Sequence, residues 1–481
     1  MKNVRCAPLV VALGLALAAA PLAVVAAPAV AFAEDTARAS EPTDGWTLYK
    51  DTCEYRVDES GCLILRPLGG AASAELATID GLGSWYGLNP TSFRIEGSIK
   101  MTGDLTGAFA GMSSLYSITL YGLDTSSVTS MESMFAGCTS LTWMDLSPLD
   151  TSSVTDMWAL FAGCSNLSSV GLGNIDTSNV TTMRCMFGGC SALTWLDVSK
   201  LDTSSVTDMQ EMFQNCSSLT QLDLTGFDTS KVKAMDCMFS GCTRLQTLDL
   251  SSFDTSRVKN KASDYGLYGD MFGDGAYPTT IKVGEKFNFK GSTSKRFIKF
   301  PSDASAWADG EAYTGKWVSS VDDKAYAADK IPNGVAATYT AEKAMAMYRL
   351  YNPYTGEHLY TASTQERDSL SWGGWNYEGI GWVAPTSSKT KVYRLYNPYA
   401  PGGDHHYTTS LVEYNNLVAQ GWSGEGDAWY SADEKDGTAV YRAYNPNATS
   451  GSHHFTTNAG EIASLVEAGW AKEGVAWYGV K

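Results

Sequence analysis

The sequence has little of what enzyme active sites usually require. It contains only five histidines in 481 residues, and it has no G-x-S-x-G, H-E-x-x-H, Walker or dinucleotide-binding motif. Cations are also scarce, since 35 Lys and Arg stand against 52 Asp and Glu and leave a formal net charge of −17. Nucleic acids and anionic membranes are bound through basic surfaces. We therefore expect a protein that is not an enzyme, needs no cofactor or metal and binds no nucleic acid.

Long apolar runs are absent after the first 33 residues. Within that segment, Lys2 and Arg5 precede a run rich in Ala, Leu and Val, which ends in Ala31-Phe32-Ala33. This order is typical of a secretory signal peptide followed by its cleavage site. Because the run is long for a signal peptide, an uncleaved membrane anchor is the alternative interpretation. If residues 1–33 are removed as a signal peptide, we expect the mature protein to be secreted or at the cell surface, with no membrane insertion.

The middle of the chain repeats every 26 residues. An Asp-Thr-Ser-x-Val segment, a Phe and a Cys each recur with this spacing. The positions are Asp124, Asp150, Asp176, Asp202, Asp228 and Asp254, then Phe135, Phe161, Phe187, Phe213 and Phe239, then Cys138, Cys164, Cys190, Cys216 and Cys242. A fixed period of this length indicates a solenoid, in which each repeat buries its apolar face against its neighbours.

Each repeat combines two apolar patterns. Leucines at positions 193 and 196 with a valine at 198 predict a strand, and Val206, Met209, Met212 and Phe213 have the spacing of one face of a short helix. We therefore predict an α/β leucine-rich-repeat solenoid of strand-helix repeats over residues 102–276, preceded by a β-rich N-terminal cap and linker over residues 34–101. Asp124 and its equivalents precede Thr-Ser, which favours helix capping or turn formation.

These repeats resemble those of the BspA-like leucine-rich repeat surface proteins. Met134-Phe135-Ala136-Gly137-Cys138 matches the end of that family's unit, and the Leu-Asp-Leu-Thr-Gly-Phe-Asp-Thr-Ser segment at residues 222–230 matches the start of the next. The resemblance implies a solenoid. It also implies adhesion, because members of the family are linked with binding to host matrix proteins and to neighbouring bacteria.

Nine of the ten cysteines fall into three groups. The five that recur every 26 residues are expected to point inward as small apolar fillers. Cys185 and Cys237 occupy a predicted helix position that reads as exposed or half-exposed. Cys53 and Cys62 flank an Asp-Glu-Ser-Gly turn, and a disulfide that closes this hairpin is one of two open possibilities.

The concave strand face of the solenoid is the first candidate site. In each predicted strand the residues between the apolar pair should point outward. The candidate ligand-binding residues are Trp143, Asp145, Trp195, Asp197, Gln221, Asp223 and Asp249. Exposed Trp is a common interface anchor. The alternative for the aspartates is a structural role, in which they satisfy amides at the strand ends.

A second kind of repeat, rich in Trp and Tyr, begins at residue 347. Three units open with Tyr-Arg-x-Tyr-Asn-Pro at residues 348, 393 and 441. In each unit a capping box then starts a helix, and a glycine at 374, 421 or 469 ends it. We predict a C-terminal α+β module of three ββαβ repeats over residues 347–481, joined to the solenoid by a β element and linker over residues 277–346.

The equivalent histidines His358, His405 and His453 make the C-terminal module a second candidate site. The module resembles an uncharacterised three-repeat module at the end of secreted bacterial proteins, which implies envelope or glycan binding. If the repeats close with threefold symmetry, the three imidazoles could converge on a metal. They could instead form three separate polar pockets for sugars, or bond to turn carbonyls.

These patterns predict an exported adhesin that recognises a host matrix protein or another extracellular protein through the concave face. The alternative is binding of cell-wall or host glycans by the C-terminal repeats. A polysaccharide hydrolase is a minor alternative, because Asp197 and Asp223 could lie within the separation of about 5 Å that retaining glycosidases use.

Overall fold

The computed structural model describes residues 45–80, 85, 87–259, 271–273, 278–289, 312–435 and 437–480. The chain forms two compact units, one of Met1–Phe300 with Pro332–Thr338 and one of Pro301–Ile331 with Tyr339–Lys481. The predicted signal peptide lies outside the described residues. Over the ranges that the structure describes, no helix is both long and apolar enough to cross a membrane.

The first unit is a solenoid of short strands and turns. Its strands are β1 Thr47–Tyr49, β2 Cys53–Val57, β3 Cys62–Pro67, β4 Ser73–Leu76, β5 Ser92–Ile95, β6 Ser98–Met101, β7 Ser117–Thr119, β8 Leu123–Asp124, β9 Trp143–Asp145, β10 Ser169–Gly171, β11 Thr247–Leu250 and β12 Thr280–Val283. Strands β1 to β3 form an antiparallel meander. Parallel pairing starts with β3 to β5 and β4 to β6, and it recurs between β9 and β10 and between β11 and β12.

The described repeats do not contain the predicted helix. One residue in each repeat, such as Ser133 or Glu211, has φ near +55° and cannot be part of a right-handed helix. Alternate backbone N–H groups donate to the next repeat instead, as Ser133 does to the Trp158 carbonyl at 2.7 Å. Successive turns close with bonds between residues three apart, such as Met134 to Met131. Turns of this length place apolar side chains three residues apart, which is why the sequence resembled a helix face.

The repeated side chains form continuous ladders inside the solenoid. The rings of Phe135, Phe161, Phe187, Phe213 and Phe239 are fully buried and stack in order, with ring centroids 5.4 to 6.0 Å apart. The five recurring cysteines are buried beside them, as predicted, and all five are free thiols. Each thiol donates to the carbonyl of the phenylalanine that lies 29 residues earlier in the chain, for example Cys190 to Phe161 at 3.2 Å.

The Asp-Thr-Ser segments form turns that join one repeat to the next. Asp150 accepts the backbone N–H and the hydroxyl of Ser152, which closes an Asx turn. The buried Thr151 hydroxyl donates to the backbone carbonyl of Asp176 in the following repeat at 2.9 Å. Of the two roles that the sequence left open for these aspartates, turn formation is the one observed.

Two predictions about the remaining cysteines are resolved. Cys185 and Cys237 are buried, with 1% and 2% of their surface exposed, so the expectation of exposure was wrong. They do not lie on a helix, and the Cys185 sulfur packs against Gly188. Cys53 and Cys62 are both free thiols, because the β2–β3 register places Cys53 opposite Pro67.

The second unit contains the three predicted ββαβ repeats. Its strands are β13 Ala312–Ser319, β14 Ala325–Ala327, β15 Ala337–Tyr351, β16 His358–Thr361, β17 Asn376–Pro385, β18 Thr390–Tyr396, β19 His405–Thr408, β20 Ser423–Ser431, β21 Gly437–Tyr444, β22 His453–Thr456 and β23 Ala471–Val480. Its helices are α1 Thr364–Trp372, α2 Leu411–Ala419 and α3 Ala459–Glu467. We call these units repeats 1, 2 and 3, with central strands β15, β18 and β21 that each pair with both other strands of the repeat.

The predicted helix boundaries of the three repeats are confirmed. Ser363, Ser410 and Asn458 are the N-caps, and each side chain accepts the backbone N–H of the glutamate three residues later. Gly374, Gly421 and Gly469 follow the helices with φ of 94° to 99°, a conformation that glycine adopts without strain.

The three repeats close around a shared aromatic core. Tyr360, Tyr407 and Phe455 contact one another edge to face with ring centroids 5.7 to 5.8 Å apart. Trp382, Trp429 and Trp477 form a second buried triangle with separations of 5.6 to 5.8 Å. Each triangle takes one ring from each repeat, so the module has pseudo-threefold symmetry. Two tyrosine hydroxyls bond across the repeats, Tyr407 to the Tyr360 carbonyl and Tyr360 to the Phe455 carbonyl.

Candidate functional site

The strand face of the first unit is defined here by the outward residues of its parallel strands and the turns that follow them. Trp143 is 53% exposed and Trp195 is 59% exposed. Between them, the β10 rung carries only Ser169 and Gly171 on this face, and Trp143 pairs directly with Ser169. Because adjacent rungs lie about 4.8 Å apart, the backbones that carry the two indoles are about 10 Å apart.

The candidate aspartates close turns at the ends of the strands. Asp145 accepts the backbone N–H and the hydroxyl of Ser147, and Asp223 accepts the same two groups of Thr225. Asp197 accepts the backbone N–H of Ser199, and Asp249 pairs with Lys282 at 2.9 Å. These contacts give the column the structural role that the sequence left open for it.

Hydrogen bonds also keep two of these carboxylates charged. The bond from Ser199 lowers the pKa of Asp197, and the bonds from Thr225 lower the pKa of Asp223. A glycosidase needs two carboxyl groups whose environments push their pKa values apart. Asp197 and Asp223 are both exposed and both pKa values are lowered, so these two carboxyl groups do not form such a pair.

Two further exposed aromatic residues, one on either side of strand β7, were missed from the sequence. Tyr116 is 55% exposed and Tyr121 is 65% exposed, at the start of the β7 rung and in the turn after it. They correspond to Thr142 and Ser147 in the next repeat, so their positions can be read from the 26-residue period. Both lie outside the two positions between the apolar pair of the strand, where outward side chains were predicted.

The three equivalent histidines of the second unit lie at different junctions between the repeats. The His358 ring contacts His454 with centroids 4.5 Å apart, and the His453 ring contacts His406 at the same distance. His405 faces Glu357, with its Nδ1 2.5 Å from the carboxylate. The convergence on one metal that threefold closure suggested is therefore not observed. Within the described ranges, no group of three His, Cys, Asp or Glu is placed to hold a metal ion.

A ring of arginines and glutamates joins the repeats at these junctions. Arg349 pairs through Nε with Glu378 of its own repeat at 2.9 Å and through Nη1 with Glu461 of repeat 3 at 3.0 Å. Arg394 repeats the pattern with Glu425 and with Glu366 of repeat 1, at 2.6 and 3.0 Å. Arg442 does so with Glu473 at 2.7 Å and, at 3.8 Å, with Glu413 of repeat 2. The capping-box glutamates therefore have a second partner in another repeat.

Burial and hydrogen bonding set the charges at two of the junctions. Burial, together with the neighbouring second histidine, lowers the pKa of His358 and of His453 to about 3. Hydrogen bonds from His406 and His454 lower the pKa of Glu413 and of Glu461 to about 2. At neutral pH the first two imidazoles are therefore neutral and the two carboxylates are ionised.

The junction between repeats 1 and 3 contains an open cleft of about 510 Å³. Repeat 1 contributes Tyr351 and His358 to its lining, and repeat 3 contributes His454, Glu461 and Trp470. The loop of residues 445–451 forms the rim. The lining combines aromatic rings with amide, hydroxyl and carboxylate groups, and most of the lining residues are polar.

Family models match both parts of the chain. Residues 103–195 and 168–267 match a family described as a Mycoplasma protein of unknown function, DUF285, and residues 346–480 match a domain of unknown function, DUF5648. No curated protein and no solved structure gives a significant match. The first match and the observed solenoid agree with the resemblance to BspA-like proteins at the level of repeat architecture.

Proposed function

We propose that the protein is exported, acts at the cell surface or outside the cell, and binds another extracellular protein through its strand face. One observation carries the proposal. Among the described residues 102–259, the large apolar side chains that are strongly exposed are Tyr116, Tyr121, Trp143 and Trp195. All four are aromatic. Trp143, Trp195 and Tyr121 belong to the strand face, and Tyr116 directly precedes β7. Exposed aromatic residues of this kind anchor protein interfaces.

The charge of the strand face supports a basic partner segment. Trp143 and Asp145 are two residues apart on one strand, and Trp195 and Asp197 are two residues apart in a later repeat. The backbone positions that carry each indole and its neighbouring carboxylate are therefore about 7 Å apart on the same face. A lysine or arginine of the partner could lay its cationic group over the indole and pair with the carboxylate. The net charge of −17 favours the same partner through long-range attraction.

The test replaces the two tryptophans by the residues that neighbouring repeats carry at the same position. Trp143→Ser copies Ser169, and Trp195→Gln copies Gln221, which pairs with Trp195 on the next rung. The solenoid should fold normally with either change. We expect the double variant to lose binding to extracellular matrix proteins that the full chain binds. A matched control is Trp372→Ser, which changes a tryptophan of the second unit that is 96% exposed.

The electrostatic part of the proposal has its own test. Asp197→Asn and Asp223→Asn remove charge while keeping a side-chain oxygen that can close the turn. We expect them to weaken binding and to reduce its dependence on ionic strength, because fewer charges then attract the partner. Binding that survives the double tryptophan change would contradict the strand face as the site. Binding that is lost with the tryptophans but is insensitive to salt and to the asparagine variants would contradict only the basic partner.

A further inference from the structure

The open cleft between repeats 1 and 3 of the second unit has the lining of a carbohydrate site. Tyr351 and Trp470 line it with aromatic rings, the kind of surface on which the C–H groups of a sugar can pack. Asn445, Asn447 and His358 add groups that can donate or accept hydrogen bonds from hydroxyls. A saccharide presents this mixture of apolar ring faces and hydroxyl edges.

The polar part of the cleft is held in place by bonds that already exist. Glu461 accepts from Thr456 at 2.6 Å and from His454 at 3.0 Å, and it pairs with Arg349. The Asn445 side chain accepts the backbone N–H of Asn447 at 3.0 Å, which fixes the rim. Groups held in this way lose little freedom when a ligand binds.

The formal charge of the lining selects among sugars. Glu461 is the charged side chain that lines the cleft, and its partner Arg349 is not part of the lining. An anionic sugar, such as one with a sialic acid or uronic acid, would bring a second negative charge to this carboxylate. A neutral saccharide has no charge to be repelled by Glu461 and would interact with the lining through hydrogen bonds and ring contacts.

Repeat 3 differs from its sister repeats at the rim of this cleft. The residue after Asn-Pro is Tyr354 in repeat 1, Tyr399 in repeat 2 and Asn447 in repeat 3. The Tyr354 and Tyr399 rings lie beside Gly374 and Gly421, the glycines that precede the equivalent tryptophans, whereas nothing lies beside Gly469 within 4 Å of where a Cβ would stand. The replacement of Tyr by Asn leaves the approach to Trp470 open.

We propose that the cleft between repeats 1 and 3, lined by Tyr351, His358, Asn447, Glu461 and Trp470, binds a neutral saccharide. This site is separate from the strand face of the first unit. Neither of the families that match the chain has a known function that would assign it.

The experiment titrates the full chain with chitotriose, lactose and maltotriose at millimolar concentration, with sialyllactose as the anionic comparison. Binding is followed by calorimetry and by tryptophan fluorescence. We expect at least one neutral sugar to bind. Trp470→Ala should weaken that binding by about tenfold or more, because it removes a stacking face. The matched control is Trp422→Ala, the same position in repeat 2, which should leave binding unchanged.

A second variant distinguishes loss of the site from a folding defect caused by Trp470→Ala. Asn447→Tyr introduces the residue that repeats 1 and 2 carry, so it should fold normally and obstruct the cleft, and Asn447→Ser should keep the cleft open. Loss of binding in Asn447→Tyr and retention in Asn447→Ser would support the site. The proposal is overturned if no neutral sugar binds, if sialyllactose binds best, or if Asn447→Tyr binds as tightly as the wild type. Trp143→Ser with Trp195→Gln should not change sugar binding, so this result is independent of the strand face.

Discussion

Asp236 should make the first unit less stable at neutral pH than at acidic pH. Its side chain is 6% exposed. One carboxylate oxygen accepts from Gln210 at 2.7 Å, and the other has no hydrogen-bond partner among the residues that the structure describes. Burial, the largest cause, raises the pKa of Asp236 from its ordinary value of 3.8 to about 6. Ionisation of this group is therefore more costly in the folded chain than in the unfolded chain.

The size of the effect follows from the shift. A rise from 3.8 to about 6 corresponds to about 3 kcal/mol, at 1.36 kcal/mol for each pKa unit. Because the folded pKa is raised, this stability is fully present below pH 3.8 and is lost as the pH rises through 6. Asp236→Asn keeps the shape of the side chain and can still accept from Gln210. Since the new amide has its own cost of burial, we expect a net gain of about 1 to 2 kcal/mol above pH 7 and no gain below pH 4.

The assay is urea unfolding of the wild type and the variant at several pH values between 4 and 8, followed by circular dichroism. Asp150→Asn is the matched control, because Asp150 is exposed and hydrogen bonds from Ser152 lower its pKa. Its contribution has the opposite sign and is already complete above pH 3.8, so the difference in stability between this variant and the wild type should stay constant between pH 4 and 8. A difference between Asp236→Asn and the wild type that stays flat with pH, or that shrinks as pH rises, would refute the reasoning.

Three other changes test the packing. Phe187→Ala removes a fully buried ring between Phe161 and Phe213, so the free energy of unfolding should fall by about 3 to 5 kcal/mol, and a fall below about 1 kcal/mol would argue against the ladder as a major source of stability. Phe455→Tyr supplies the third hydroxyl of the aromatic triangle, which should reach the Tyr407 backbone and raise stability by about 1 kcal/mol, measured by thermal unfolding. Tyr360→Phe should act in the opposite direction, because the Tyr360 hydroxyl both donates to the Phe455 carbonyl and accepts its N–H.

Much of the first unit could be predicted from the 26-residue period. The period placed Phe187 and Cys190 in the interior, because residues that recur on every rung stack on their own equivalents. The prediction of a helix in each repeat was wrong for a local reason. Turns that close over three residues and a helix of 3.6 residues per turn both leave Val206, Met209 and Met212 on one side. The backbone bonds of the turns run to the next repeat, and no residue type in the sequence marks that direction.

The second unit could be predicted one repeat at a time. The N-cap residues and the glycines after the helices are local signals, and they gave the boundaries correctly. The second role of Glu461, which pairs with Arg349 of repeat 1, depends on how the repeats close. The place of His358 beside His454 depends on it too. Closure is a long-range property, so the sequence left the arrangement of the histidines open.

The spacing of the rungs fixes the distances at which side chains of the strand face can stand from one another along the solenoid. Side chains on this face can be placed only at whole multiples of about 4.8 Å along the solenoid. The turns of every repeat bond to the next repeat in the same way. A duplication of 26 residues between Trp143 and Trp195 would therefore move the two indoles apart by one rung without changing the rest of the surface. The distance between Trp143 and Trp195 can therefore change only in steps of one rung. A partner that fits two indoles two rungs apart would not fit indoles three rungs apart.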